Sequence, residues 1–542
     1  PEGGIYQRRD YKMLGYDFRA TASWNHVFND IHITNFFAGT EINSTDRSKN
    51  YYQGWGMQYS MGEIPYYVYE FFKKGIEDGN NYYSLSQTRS RSAAFFANAT
   101  YSYKGRYTVN GTARYEGTNR MGKSRSARWL PTWNVSGAWN AQKFFSNLTS
   151  VLSHFTLKAS YSLTADRGPA DVTNSQAIIT SYSPYRPFTS IQESGLYIKE
   201  LENSELTYEK KHELNIGADM GFLNNRINLA VDWYKRNNYD LIGIVNTQGA
   251  GGQILKYANI ASMKSHGIEF TLSTKNIKTK DFNWNTDFIF SNAKNEVTDL
   301  KQNANVMELI SGNGFAKQGY PVRGLFSIPF VGLDKDGIPV IINEKGEATS
   351  TDINFQERQN TGFLKYEGPT DPTITGSLGN MFSYKGFRLN LFITYSFGNV
   401  IRLNPVFKAY YSDLTAMTRE FKNRWTLPGD EAKTNVPAIL SKRMYDSNED
   451  LKYAYNAYNY STERIAKGDF IRLKEISLAY DFPKAWINPL KLTDLSLKVQ
   501  ATNLFLIYAD DKLNGQDPEF FNAGGVASPV PRQFTITLRL GL

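Results

Sequence analysis

Residues 106–116, RYTVNGTARYE, place Tyr107, Val109, Gly111, Ala113 and Tyr115 on one face and Arg106, Thr108, Asn110, Thr112, Arg114 and Glu116 on the other. A strict period of two is the signature of a β-strand with one apolar face, because helical neighbours recur every three or four residues. The pattern returns in Leu14 to Trp24, Leu214 to Phe222, Ile227 to Trp233, Phe282 to Phe290, Phe387 to Phe397 and Leu495 to Ala501. Runs of about ten residues are what a tilted strand needs to cross a bilayer, whereas strands of soluble sandwiches are usually shorter. The fold class expected is therefore all-β, a transmembrane antiparallel β-barrel.

Extending the alternation along the chain predicts strands at 14–28, 31–43, 91–103, 106–117, 129–140, 153–164, 210–222, 225–236, 264–275, 281–294, 374–384, 387–397, 470–482, 493–506 and 532–542. Tight links, FND at 28–30, KGR at 104–106, LNNR at 223–226 and YKG at 384–386, alternate with excursions near 44–90, 165–209, 295–373, 398–469 and 507–531. Outer-membrane barrels have this asymmetry, with short periplasmic turns and long extracellular loops. On that assignment the first strand descends and residue 1 lies outside. About fifteen strands is an odd number, whereas bacterial single-chain barrels are even, and an unpaired edge in lipid costs several kcal/mol per backbone group. An odd number of further strands is expected from outside these residues. In FIRLKEISLAYDFP (470–483), Ile471 and Leu473 are out of phase with Ile476, Leu478, Tyr480 and Phe482, which predicts a β-bulge near Lys474 and Glu475.

Composition removes several classes. No apolar run is long enough for a spanning helix, and mean hydropathy is −0.48. Aromatics reach 15%, with 36 Tyr and 34 Phe, which suits pleated surfaces. With no cysteine there are no disulfides, thiolate metal sites or cysteine nucleophiles. The net charge of +9 is spread along the chain among 52 acidic residues, with no basic arm, so nucleic acid is not an expected partner.

Trp129, Trp133 and Trp139 fall in phase after the basic stretch TNRMGKSRSA. With Trp233 and Trp284 they are expected at membrane interfaces, where tryptophan sits between lipid and water. The five histidines, His26, His32, His154, His212 and His266, show no metal-ligand spacing; wall packing or girdle positions are the favoured reading, and no catalytic constellation converges. LDKDGI (333–338) has the Asp-x-Asp-Gly spacing of a calcium loop but lacks the bidentate Glu at its required distance from Asp334. A glycine turn in a loop hairpin is favoured there, with calcium in an extracellular loop as the alternative. DDKLNGQDPE (510–519) is likewise read as a loop before a metal site. Aromatic-rich loops, YYQGWGMQY (51–59), YYVYEFF (66–72), FKAYY (407–411) and YAYNAYNY (453–460), offer flat faces for sugar rings or peptide side chains. Trp55, Tyr59, Tyr410, Tyr411, Tyr455 and Tyr458 are the candidate ligand contacts, against the alternative that such loops spend aromatics on cores of their own.

KGDFIRLKEISLAYDFP (467–483), SLKVQATNLF (496–505), GQDPEF (515–520) and SPVPRQFTITLRLGL (528–542) resemble, in order and spacing, the end of SusC/RagA-type TonB-dependent transporters. RYEGTNRMGKSRSARWLPTWNVSGAW, ELNIGADMGFLNNRINLAVDWYKRNNYDLI and DPTITGSLGNMFSYKGFRLNLFITYSFGN resemble that family's mid-barrel hairpins, so the likeness spans most of the chain. The resemblance implies a barrel of 22 strands around an N-terminal plug, in the outer membrane of Bacteroidota-like Gram-negative bacteria. It implies a SusD-like lipoprotein partner, TonB-derived energy reaching the barrel through the plug, a dimer of transporter–lid pairs, and import of oligosaccharides or oligopeptides without catalysis. Residues 1–542 would then be the C-terminal part of such a barrel, and its partner an N-terminal fragment with the plug and about seven strands. A non-transporting structural or adhesive outer-membrane barrel is the competing expectation.

Overall fold

A computed structural model of the chain describes residues 3–541 except 66–67, 142–150, 169–176, 183–193, 248, 250–254, 412–416 and 522–530. Fifteen strands form one path: β1 (Gly4–Phe28), β2 (His32–Gln58), β3 (Tyr83–Tyr103), β4 (Tyr107–Thr118), β5 (Trp129–Asn140), β6 (Leu152–Asp166), β7 (Glu209–Phe222), β8 (Ile227–Asn246), β9 (Leu255–Lys278), β10 (Phe282–Leu300), β11 (Ile374–Tyr384), β12 (Phe387–Phe397), β13 (Phe470–Asp481), β14 (Asp494–Ala509) and β15 (Gln533–Gly541). Each strand pairs with its neighbours along the chain, so the sheet is a meander, and β1 and β15 each have one partner on this path. This is the strand set that the alternation predicts.

The tight links fall where expected. Asn29 and Asp30, Lys104 and Gly105, Leu223 to Asn225, and Lys385 and Gly386 all have positive φ, as two- to four-residue turns between antiparallel strands require. Lys104 N–H donates to the Ile31 carbonyl at 2.8 Å and Lys385 N–H to the Asp281 carbonyl at 3.2 Å, so adjacent turns are stitched to one another. The predicted bulge is also present. Ile393 pairs with Leu473 and Phe392 with Glu475, leaving Lys474 as the extra residue, while Asn503 and Leu504 oppose it on β14.

The excursion at 398–469 has the expected bounds, whereas the one expected at 44–90 is much shorter, because its flanking strands continue past the membrane-length segment. β2 pairs with β1 from His32 to Met57 and with β3 from His32 to Tyr52, so the excursion expected at 44–90 contracts to residues 59–82. The 27 residues of β2 correspond to about 90 Å of strand, roughly three times a bilayer's hydrocarbon thickness. Polar residues on both faces beyond position 43 (NSTDRSKNYYQ) mask the continuation, since alternation is visible only where one face is apolar.

The chain divides into two compact units, one of Pro1–Gly137, Ser160–His212 and Asn238–Ile260, the other of Ala138–Ala159, Glu213–Asn237 and Ala261–Leu542. In the first, helix α1 (Tyr69–Glu77) lies on the extension of β2: Trp55 packs edge-to-face on Phe72 at 5.4 Å, and a Cβ at Gly75 would come within 2.7 Å of the indole. In the second, the excursions 295–373 and 398–469 fold together. Small sheets pair Gly324–Ser327 with Lys365–Pro369, Phe330–Leu333 with Pro339–Ile342, and Val400–Arg402 with Ile465–Lys467. Helix α2 (Lys442–Ser447) is followed by helix α3 (Leu451–Asn459), which is shared by two cores. Ala454, Tyr455 and Tyr458 join Ile338, Phe407, Phe421 and Leu440; Ala457 joins Val306, Leu309, Phe326, Ile328 and Leu364.

Candidate functional site

One face of the sheet is apolar and exposed. Phe18, Phe36, Ile42, Phe95 and Val109 in the first unit, and Ile268, Leu478, Val499, Ile536 and Leu538 in the second, are all exposed. The opposite face carries cross-strand polar ladders. Asn98 donates to Thr112 at 2.7 Å, Asn110 to Thr100 at 2.6 Å, and Thr108 to Ser102 at 2.9 Å. Arg114 pairs with Glu116 at 2.7 Å and Glu41 at 3.6 Å, and Arg19 and Arg114 lie over the Phe96 ring at 5.3 and 5.9 Å. An apolar face this extensive is too costly in water for a soluble protein and fits a lipid environment.

The tryptophans occupy aromatic clusters on the strands. Trp129 stacks on Tyr115 at 5.1 Å, and Trp133 meets Tyr161 edge-on at 5.4 Å. His212 lies between Tyr161 and Tyr239, stacked on each at 5.7 Å. Trp139 is half-buried, Trp233 is exposed, and Trp284 stacks on Phe382 and donates to Asn380 at 2.9 Å. At the turn after β1, Trp24, His26 and Phe28 form one aromatic row, and His32 bonds Tyr101 at 2.7 Å. His154 bonds Asn225 at 3.1 Å. Among the described residues no three His, Asp or Glu side chains gather as a metal site. At LDKDGI the Asp334 carboxylate instead accepts the backbone N–H groups of Asp336 and Ile338, both at 2.9 Å, closing the hairpin turn; Gly337 has φ +75° and no room for a Cβ, which would lie 2.6 Å from Trp425.

The candidate ligand contacts separate by environment. In the first unit Trp55 is half-buried under α1, and Tyr59 is exposed with its hydroxyl on the Ile5 carbonyl at 3.0 Å. In the second unit the other four are brought together. Tyr455 and Tyr458, 1% and 2% exposed, are core residues, and the Tyr455 hydroxyl donates to the Ala438 carbonyl at 2.6 Å. Tyr411 is buried too, accepting from Lys408 N–H at 2.7 Å and donating to the Val406 carbonyl at 2.9 Å. Burial pushes the Tyr411 hydroxyl up to about 12 and those of Tyr455 and Tyr458 higher, so all three stay neutral. Tyr410 alone of the four is exposed, stacked on Tyr445 at 6.2 Å. Spacing cannot separate it from Tyr411; only the packing partner does.

Sequence reasoning missed three buried arginines that tie these loops down. Arg402 donates to the carbonyls of Phe326 and Ser461 and to the Ser327 hydroxyl; burial lowers it to about 9, which leaves it a cation at neutral pH. Arg464 pairs with Glu420 and lies over Phe407 at 4.8 Å. Arg472, on the β13 face that carries Thr394's partner position, binds Asp517 at 2.6 Å and Glu519 at 2.8 Å. The RLK strand and the GQDPEF loop, quoted above as separate motifs, are thus two halves of one ion pair. Nothing in their spacing signals it, because Arg472 and Asp517 lie 45 positions apart.

A meander of long strands with one apolar and one polar face, joined alternately by tight turns and by folded loops, defines the wall of a membrane-spanning β-barrel. Comparison with known families identifies which. Residues 3–504 match the family model described as TonB dependent receptor-like, beta-barrel, and the chain belongs to that family. It is 25% identical to a TonB-dependent receptor of Formosa agariphila over 100% of this chain and 54% of that protein. It is also 25% identical to the TonB-dependent receptor SusC of Bacteroides thetaiotaomicron, over 87% of this chain and 47% of that protein. The solved structure of the RagAB peptide transporter superposes with a TM-score of 0.77 at 21% identity, covering 99% of this chain and 56% of that one. The chain therefore spans about half the length of the curated relatives it matches.

Proposed function

We propose that this chain forms wall and outward loops of a SusC-like outer-membrane importer, which takes up oligosaccharides or oligopeptides with a SusD-like surface lipoprotein and TonB-derived energy. The observation that carries this reading is the exposed apolar face over a polar one along fifteen meandering strands, joined to family membership. Likeness to SusC and to the RagAB peptide transporter supports both the SusD-like partner and the two substrate classes. β1 is exposed on both faces from Ile5 to Phe28, and β15 from Gln533 to Leu540. Unpaired edges in lipid are untenable, so each is read as pairing with strands of the remaining polypeptide, which also carries the plug. Trp129, Trp133, Trp139, Trp233 and Trp284 would then mark the membrane interfaces, and no bond-making chemistry is assigned to the chain. Calcium has no role in this reading.

The test is uptake by cells producing the full-length protein. Accumulation of a labelled oligomer that stops when TonB is deleted, and co-purification of a lipoprotein lid, are the expected results. Binding to the cell surface without TonB-dependent accumulation would instead favour the adhesive barrel.

A further inference from the structure

The aromatic excursions 407–411 and 453–460 do more than build a core: between them they leave a cavity of about 480 Å³, within the range of roughly 300–1,000 Å³ typical of small-molecule sites. Its described lining includes the exposed Lys408 and Lys452, the Tyr410 and Tyr445 rings, nearly parallel at 21°, the half-buried Asn456 and the buried Tyr455. No aspartate or glutamate is among the described residues that line it. Both lysines are exposed, and neither makes an ion pair among the described residues, whereas Lys442 on α2 is held by Asp446 at 2.8 Å. The Asn456 amide, half-buried on α3, has no hydrogen-bond partner among the described residues. Two unneutralised cations beside an uncommitted amide and a pair of flat rings are an arrangement waiting for a ligand that is anionic, hydroxyl-bearing and flat-faced.

We infer that this cavity binds an anionic oligosaccharide, a chain of sugar rings bearing carboxylate or sulfate groups. The rings would stack on Tyr410 and Tyr445, the hydroxyls would bond the Asn456 amide, and the acid groups would meet Lys408 and Lys452. A peptide fits less well. Extended peptides are commonly held by a free strand edge, and each of the described residues lining this cavity lies in coil or on α2 and α3. The inference rests on the import reading for where the cavity faces, and it narrows the substrate class of that reading.

The test measures binding to the full-length protein in detergent, apart from any uptake. Oligogalacturonate, its fully methyl-esterified form, a sulfated galactan oligomer and oligoglutamate of matched length serve as probes. The charged sugars are expected to bind at least about tenfold more tightly than the ester, with affinity falling as salt is raised, because each charge-assisted contact is worth that much. The relative strength of the uronate and sulfate arms assigns the source of the charge. Lys408→Gln with Lys452→Gln should remove the preference for charge, Tyr410→Ala should weaken all sugars, and Lys452→Arg should retain binding, which shows that the loops still fold. Equal binding of acid and ester, oligoglutamate binding as well as the charged sugars, or a double variant that binds as the parent would each overturn the inference. Binding of charged sugars without TonB-dependent uptake would leave it standing and overturn the import reading instead.

Discussion

Asp517→Asn keeps the shape of a side chain and removes its charge from beside Arg472, where the two side chains are 8% and 5% exposed. Removing one partner of a buried ion pair costs about 3–5 kcal/mol, because the remaining charge stays buried without compensation. Two features of the structure reduce that figure. Glu519 keeps its 2.8 Å contact with the same Arg472 nitrogen, although it is 42% exposed and screened, and the asparagine still offers an acceptor oxygen. Together they return about 1–2 kcal/mol. The net loss of about 2–3 kcal/mol should raise local opening of the 510–521 segment roughly 30- to 150-fold. Amide hydrogen exchange on the full-length protein reads this directly at Gln516, Glu519 and Phe520, whose N–H groups bond Leu513 and Asp517. Asp446→Asn, which breaks the exposed pair with Lys442, is the control and should change exchange by less than the equivalent of about 1 kcal/mol. If Asp517→Asn leaves these amides as protected as the control does, the pair does not hold the loop and the reasoning is wrong.

Three further outcomes are expected. Burial raises Tyr411, Tyr455 and Tyr458 above the ordinary tyrosine value, so their contribution to loop stability is complete below pH 10 and is lost as pH rises toward about 12 and beyond. The loss is about 1.4 kcal/mol per pH unit per tyrosine. Tyrosinate absorbance should show these residues ionising only as the loops become protease-sensitive, and ordinary titration of all three in intact loops would contradict their burial. Gly337→Ala should cost more than about 2 kcal/mol, since positive φ and the Trp425 contact act together. Gly429→Ala, with φ +100° but open space, should cost only the backbone strain of about 1 kcal/mol, and equal thermal shifts would refute the distinction. Tyr455→Phe strands the Ala438 carbonyl at about 1–3 kcal/mol, whereas Tyr455→Ala opens a cavity at about 3–5 kcal/mol, both read as loss of protease resistance across 398–469.

The strand set is legible in the sequence because one face of each strand had to be apolar. Leu14 to Trp24 or Phe387 to Phe397 announce their period, and the out-of-phase Ile471 and Ile476 announce the bulge at Lys474. Where both faces are polar, as in β2 beyond Asn43, the period vanishes and the strand could be seen only once its partners β1 and β3 were in place. The aromatic loops were legible as aromatic and no further. Whether a tyrosine is buried or exposed depends on what lies against it, and for Tyr455 that is the Ala438 carbonyl within a buried cluster, while for Tyr410 it is the Tyr445 ring. By itself, then, the sequence determined the architecture of the wall, through a local period that every residue carries. Only the tertiary structure decided that the 295–373 and 398–469 excursions share α3 as a common core, that Arg472 and Asp517 form one buried pair, and that Lys408 and Lys452 flank a cavity with no acid among its described lining residues. Those facts depend on contacts between residues tens of positions apart, and no local pattern records them.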